Sequence, residues 1–236
     1  MSTGASGSWA VRLHGAFDWV LWVMIVNVLW YVFVLAGALV LGVAPATIAA
    51  AELTRRKLRG EAFPVVRTFA AAWRREFWRA NAVLAPVGVV EAILAFNAIG
   101  LARAGELDAI PGIATLAALL VVFLLGSVAA PLYVHYDLPL RAYLITTSRW
   151  MLRNVPHVLL IVLAATLVTL ASLLLPGLIP FVSLGAWLTI STVLCVAFFT
   201  ANERQLAEAS ATPSRPRPGI RTTSPSVSSR HIQIPH

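Results

Sequence analysis

Five long apolar stretches dominate the sequence, and each is close to the roughly 20 residues that a helix needs to cross a bilayer. Charged residues and prolines mark their ends, because a membrane-spanning helix is apolar on all sides and shows no useful periodicity. The pattern therefore predicts an all-α membrane protein with about five transmembrane helices. The predicted spans are 19–42, 80–102, 109–134, 155–175 and 178–201.

A shorter helix is predicted between the first two spans, over residues 46–58. Gly42 and Pro45 indicate a break before it, since proline suits the first turn of a new helix. The segment begins apolar and ends in a basic run, which is typical of an interfacial helix. A sixth span is the competing interpretation, although the apolar part is short for a crossing.

Residues 63–79 form a second predicted interfacial helix, because Phe69, Trp73 and Phe77 recur at helical spacing on one face. Such a helix lies either in the membrane plane or on the cytosolic surface of its own protein. A weaker segment of similar character covers 140–154. The residues predicted to anchor this part of the chain at the membrane interface are Trp73, Trp78, Arg74, Arg75 and Arg79.

The distribution of basic residues predicts the orientation. Sixteen of the 18 lysines and arginines flank the spans on one side, and only Arg12 and Arg103 lie on the other. The basic side of a membrane protein is normally cytoplasmic. We therefore expect residues 1–18 to be a short external segment, and the basic, Ser- and Pro-rich residues 202–236 to be a disordered cytoplasmic tail.

Composition excludes an ordinary soluble protein, because 59% of the residues are hydrophobic and only 12% are charged. The formal net charge of +8 favours anionic lipids of the bilayer as partners rather than nucleic acid, since the basic residues flank apolar runs. Cys195 is the single cysteine. We find no motif for a catalytic, metal or cofactor site, so we expect neither an enzyme nor a bound cofactor.

Glu91 is the strongest candidate for a functional residue, because it lies about halfway along the second span. A charged group at that depth costs on the order of 2.5–3.5 kcal/mol, so such carboxyl groups face a helix bundle or a wet cavity. One interpretation is a proton- or substrate-coupling site. The other, which we favour, is a protonated acid that is hydrogen-bonded to a neighbouring helix.

Two asparagines complete the candidate polar site within the membrane. Asn27 lies in the first span and Asn97 lies in the second. An asparagine inside a span commonly links helices through side-chain hydrogen bonds. We therefore expect both residues to be structural rather than to contact a substrate.

The first part of the chain resembles the YesL family of small bacterial membrane proteins, whose molecular function is unknown. The resemblance covers about residues 17–102. It rests on Asn27-Val28-Leu29-Trp30, Gly42-Val43-Ala44-Pro45-Ala46-Thr47, Arg59-Gly60-Glu61, Phe69, and Phe77-Trp78-Arg79-Ala80-Asn81. Members are often encoded beside ABC-type carbohydrate importers. The resemblance therefore implies a multi-pass protein of the bacterial cytoplasmic membrane that assists carbohydrate uptake, with components of such an importer as partners.

Three functions remain open from the sequence. The first is a non-enzymatic accessory of carbohydrate import, and the second is a small transporter or channel, coupled to protons through Glu91. The third is a membrane enzyme that acts on lipid, which would need polar residues converging at one interface. A homo-oligomer is compatible with each, because several small bundles can together build a pore.

Overall fold

The computed structural model describes residues 5–211, with side chains from Leu13 onward except at positions 209 and 211. Every regular element in this range is helical, which confirms the predicted all-α class. The elements are α1 (Ala5–Ala36), α2 (Val40–Leu58), α3 (Val65–Ala104), α4 (Ile110–His135), α5 (Ala142–Arg153), α6 (Val155–Leu174), a short π-helical segment (Ile179–Ser183) and α7 (Leu184–Ala211).

Five of these helices are long and apolar enough to cross a membrane, as the sequence predicts. They comprise Leu13–Ala36, Val65–Ala104, Ile110–His135, Val155–Leu174 and Ile179–Glu208. Large apolar side chains also point outward from the bundle: Ile110 is 85% exposed, Phe96 is 79% exposed and Leu173 is 72% exposed. Contiguous apolar surface of this kind suits a lipid environment rather than water.

The helices α1 and α2 form an antiparallel hairpin whose tight turn lies at residues 37–39. The break predicted at Gly42 is therefore wrong, and α2 begins at Val40 rather than at position 46. Contact between the two helices explains the shift, because a Cβ atom on Gly42 would lie only 2.4 Å from the carbonyl oxygen of Val34. Ala38 and Leu39 adopt positive φ angles to close the turn.

The helix α3 is continuous over 40 residues. The separate interfacial helix at 63–79 and span at 80–102 are therefore one element, because neither glycine nor proline interrupts the chain between them. At 1.5 Å per residue, α3 is about 60 Å long, roughly twice the hydrocarbon thickness of a bilayer. Its first half packs along α2, where Phe69 and Ala72 are buried beside Leu53.

The C-terminal third contains α5, α6 and α7. The helix α5 occupies the weaker amphipathic segment that the sequence indicates over 140–154. The helix α7 extends to Ala211, so the predicted start of a disordered tail at position 202 is wrong. Helix-forming residues in Asn202–Ala211 (NERQLAEASA) account for the longer helix. The remainder of the predicted tail, 212–236, lies outside the described residues.

Candidate functional site

Charged and hydroxyl side chains from four parts of the chain meet at one end of the bundle. We call this group the polar cluster and the end that holds it the Arg-rich end. The cluster joins the end of α2, the first half of α3, the end of α4 and the start of α5. Its members are Glu52, Arg56, Arg75, Glu76, Arg79, Tyr133, Asp137 and Tyr143.

Glu52 links α2 to α3 within the cluster. One carboxylate oxygen lies 2.8 Å from Nη2 of Arg56, and the other lies 2.6 Å from Nη2 of Arg75. The side chain of Glu52 is only 14% exposed, whereas that of Arg75 is 54% exposed. Solvent around the arginine screens the pair, so its contribution to stability is about 1 kcal/mol at most.

Glu76 and Arg79 connect α3 to the end of α4. Glu76 accepts hydrogen bonds from Nε of Arg75, at 2.8 Å, and from the hydroxyl of Tyr133. Arg79 donates through Nη2 to the carboxylate of Asp137 at 2.9 Å, and its guanidinium lies 5.4 Å from the ring centroid of Tyr133. These contacts hold the arginine at a defined place although 42% of its side chain is exposed.

Tyr143 at the start of α5 fixes the loop that follows α4. Its hydroxyl accepts a hydrogen bond from the backbone N–H of Leu138 at 3.0 Å and donates to the carbonyl of Tyr136 at 3.1 Å. Its ring is buried and packs 4.8 Å from the ring of Tyr133. The loop therefore carries Asp137 to hydrogen-bond distance from Arg79.

A cavity of about 370 Å³ opens within the polar cluster. The side chains of Arg55, Arg59 and His135 also line this cavity. Arg55 donates to the carbonyl oxygen of Val134, so it also ties α2 to the end of α4. The lining contains more arginines than carboxylates, and we call this space the polar cavity.

The predicted interface anchors occupy different environments. Trp73 packs inside the protein, with its ring 5.5 Å from that of Phe33 and 4.9 Å from that of Phe77. Arg75 and Arg79 belong to the polar cluster. Arg74 is exposed, and Trp78 is 75% exposed. A role at the lipid interface therefore stays a prediction for Arg74 and Trp78, whereas the other three side chains have partners within the protein.

Asn27 joins α1 to the start of α7. Its side-chain N–H donates to the carbonyl of Pro180 at 2.7 Å, and its side-chain oxygen accepts from the backbone N–H of Gly185 at 2.8 Å. The residue is fully buried. A Cβ atom on Gly185 would lie 2.3 Å from the carbonyl oxygen of Val23, so only glycine permits this close approach. Asn27 is therefore placed as a link between helices.

Asn97 makes a simpler link. Its side-chain N–H donates to the hydroxyl of Thr115 at 3.0 Å and joins the second half of α3 to the start of α4. Asn97 is otherwise exposed. The structure therefore places Asn27, Asn97 and Glu91 at three separate positions rather than in one polar site.

Glu91 is half-buried and lines two cavities that follow the polar cavity along α3 and α4. The central cavity, of about 430 Å³, lies between α2, α3, α4 and α7. The distal cavity, of about 590 Å³, lies between α3, α4 and α6. Phe123 also lines both, so Glu91 and Phe123 stand where the two spaces meet. Within the described residues, Glu91 forms no hydrogen bond to a facing helix.

Asn81 compensates for a proline in α2. Pro45 lacks the N–H group that would bond to the carbonyl of Leu41 in a regular helix. The side-chain N–H of Asn81 donates to this same carbonyl at 2.9 Å and also to that of Phe77 at 2.8 Å. The side-chain oxygen of Asn81 is buried at the wall of the central cavity without a hydrogen-bond partner.

Sequence reasoning missed most of the polar cluster and the role of Asn81. The available signal for the cluster was the presence of Glu52, Glu76 and Asp137 among arginines near three predicted helix ends. For Asn81 the signal was a proline inside an apolar segment that turned out to be helical. Across the part of the chain that the structure describes, no group of three or more metal-ligating side chains comes together.

The helices and their apolar outer faces define a multi-pass α-helical membrane protein. Comparison with known proteins narrows this class. Residues 23–98 match the family described as "Protein of unknown function, DUF624". The resemblance to the YesL family is thereby confirmed, and the chain carries a YesL-like DUF624 region. This region contains α2, Pro45, Asn81, Glu91 and most of the charged residues of α3.

Three relatives from Bacillus subtilis (strain 168) are similar to the chain, and each is described as an uncharacterized protein. YesV is 34% identical over 50% of this chain and 58% of its own length. YteU is 29% identical over 71% of this chain and 76% of its own length. YesL is 30% identical over 53% of this chain and 60% of its own length, so the matches span less than two thirds of YesV and YesL. No solved structure matches the chain.

Proposed function

We propose that the protein is a non-enzymatic membrane accessory of carbohydrate import, and that the polar cluster is its contact with an ABC-type importer. The link to carbohydrate import comes from the resemblance to the YesL family. The observation that supports a contact surface is the ordered, partly exposed charge of the polar cluster, in which Arg79 and Asp137 are paired at the Arg-rich end. Ordered charges of this kind favour specificity in partner recognition.

Sugar uptake in the native host tests this proposal. Deletion of the gene should lower the uptake of a labelled oligosaccharide, and the parent protein should restore it. Arg79→Gln should restore uptake poorly, because it removes the charge that faces Asp137. Arg67→Gln is the matched control, since Arg67 lies on the same helix, is exposed and is not a member of the polar cluster. Unchanged uptake in the deletion strain would argue against the accessory role.

We further propose that the Arg-rich end faces the cytoplasm and that Arg74 and Trp78 contact anionic lipid. The side of the N-terminus needs a separate test. If the N-terminus is external and the Arg-rich end is cytoplasmic, the start of α1 and the end of α2 must lie on opposite sides of the bilayer. However, Nζ of Lys57 lies 2.6 Å from the carboxylate of Asp18, which brings the start of the apolar part of α1 beside the end of α2. Reporters fused before residue 13 and after Glu106 should give external signals if the sequence prediction is correct.

Transport is the second candidate function, and the position of Glu91 favours it. The polar, central and distal cavities follow one another along α3 and α4, and Glu91 stands between the last two. A single carboxyl group between two cavities is suited to exchange a proton for a substrate. Flux into proteoliposomes under an imposed proton gradient tests this function. The parent protein should show gradient-dependent uptake that Glu91→Gln abolishes, and no flux from the parent would exclude it.

A further inference from the structure

The central cavity is kept open by two small residues at its wall. A Cβ atom on Gly88 would meet no atom within 4 Å, and one on Gly126 would lie 3.5 Å from Cγ1 of Val87. Neither glycine is therefore required by close contact between helices. The absence of a side chain at these positions leaves space between α3, α4 and α7. The volume of the central cavity, about 430 Å³, is enough for a compact organic molecule.

Most polar side chains at the wall of the central cavity use their hydrogens within the protein and leave oxygen atoms as acceptors, and the indole N–H of Trp187 adds a donor. The hydroxyl protons of Ser127 and Thr192 are used by carbonyl groups of their own helices, at 2.8 and 2.7 Å. The side-chain N–H group of Asn81 is likewise used within the protein, whereas its oxygen has no partner. An acceptor-lined cavity is complementary to a ligand that carries hydrogen-bond donors.

Charge and aromatic surface point to the same ligand class. Glu91 is the one titratable side chain among the residues that line the central and distal cavities. No basic side chain pairs with it within residues 13–208. Phe123 lines both of these cavities together with Glu91, and its ring stacks on that of Trp187 in the wall of the central cavity, with the centroids 5.1 Å apart. A carboxyl group next to aromatic rings in an apolar space favours a cation.

We infer that the central cavity is a binding site for a lipophilic ammonium ion. The apolar body of the ligand packs against Phe123 and Trp187, and its N–H groups donate to Glu91 and to the neighbouring hydroxyl oxygens. This inference does not depend on the accessory function. It supplies a ligand class for the second candidate function, and a binding assay separates the two because binding requires no transport.

Equilibrium dialysis of the full chain in detergent micelles tests the inference with two probes of the same shape. The charged probe is 1-adamantylammonium and the neutral probe is 1-adamantanol, with empty micelles as the blank. We expect saturable binding of the charged probe with at least tenfold higher affinity than that of the neutral probe. Equal binding of the two probes, or no saturable binding of either, would overturn the inference without any variant.

Three variants then locate the site. Glu91→Gln keeps the size of the side chain and should reduce binding of the charged probe to the level of the neutral one. Gly88→Leu should abolish binding, because Gly88 lines the central cavity and a Cβ atom there meets no atom within 4 Å, so the larger side chain reduces the space at the cavity wall. Gly100→Leu is the matched control, since a Cβ atom there also meets no atom within 4 Å and Gly100 lines neither cavity. Undiminished binding by a monodisperse Glu91→Gln protein would refute the assignment.

Discussion

The pairing of Pro45 with Asn81 leads to a prediction about how two helices stabilise each other. Asn81→Ala removes the donor that the carbonyl of Leu41 uses in place of the missing N–H group of Pro45. A buried carbonyl without a partner costs about 1–3 kcal/mol. The carbonyl of Phe77 loses much less, because it lies in the regular part of α3 and keeps its backbone partner. We therefore expect Asn81→Ala to destabilise the protein by about 1–3 kcal/mol.

The proline offers a specific rescue. In Pro45→Ala the backbone N–H group returns at a position that is already helical, so it can donate to the carbonyl of Leu41. Asn81→Ala should then cost less than about 1 kcal/mol in the Pro45→Ala background. The coupling free energy between the two positions should accordingly be about 1–2 kcal/mol, within the range for residues that share a hydrogen-bond partner.

Unfolding of the four purified proteins in mixed micelles, followed by Trp fluorescence as a function of SDS fraction, measures this cycle. Asn97→Ala serves as the control substitution, because Asn97 bonds to the hydroxyl of Thr115 and has no contact with α2. Its cost should be the same with proline or alanine at position 45. If Asn81→Ala costs the same free energy of unfolding in both backgrounds, the stabilising effect of Asn81 does not come from replacing the hydrogen bond that Pro45 lacks.

Further predictions concern the links between helices and the membrane carboxyl group. Asn27→Ala should cost about 2 kcal/mol in the same unfolding assay, because the buried N–H of Gly185 and the part-buried carbonyl of Pro180 both lose their side-chain partner, and a cost no larger than that of Asn97→Ala would contradict the assigned link. Glu52→Gln should cost about 1 kcal/mol at low salt and less at high salt, since the partners of Glu52 are solvent-screened; a salt-independent cost would count against an electrostatic origin. Glu91→Gln should insert and purify as well as the parent, whereas Glu91→Lys should give a sharply lower yield in detergent; equal yields would show that this position is open to water.

The sequence alone was sufficient for the class of protein and the number of spans. Five apolar stretches of about 20 residues indicate membrane-spanning helices, because a soluble protein of this length could not cover so much apolar surface. The same physical limit made Glu91 stand out, since a single carboxyl group within such a stretch is costly. The order of the YesL-like segments, including Pro45 and Asn81, was also visible in the sequence.

Only the tertiary structure decided which polar residues meet. Glu76 is next to Arg75 in the sequence, but only the packing of α3 against α2 brings Arg75 to the carboxylate of Glu52 as well. The change from a charged to an apolar sequence near residue 80 suggested the end of one helix and the start of another. The helix α3 is continuous there, because a change in polarity does not interrupt backbone hydrogen bonding. The turn lies at residues 37–39 rather than at Gly42, because Gly42 is inside α2 and permits close contact with α1. Pro45 is also inside α2, because the side chain of Asn81 on α3 donates the hydrogen bond that Pro45 cannot make.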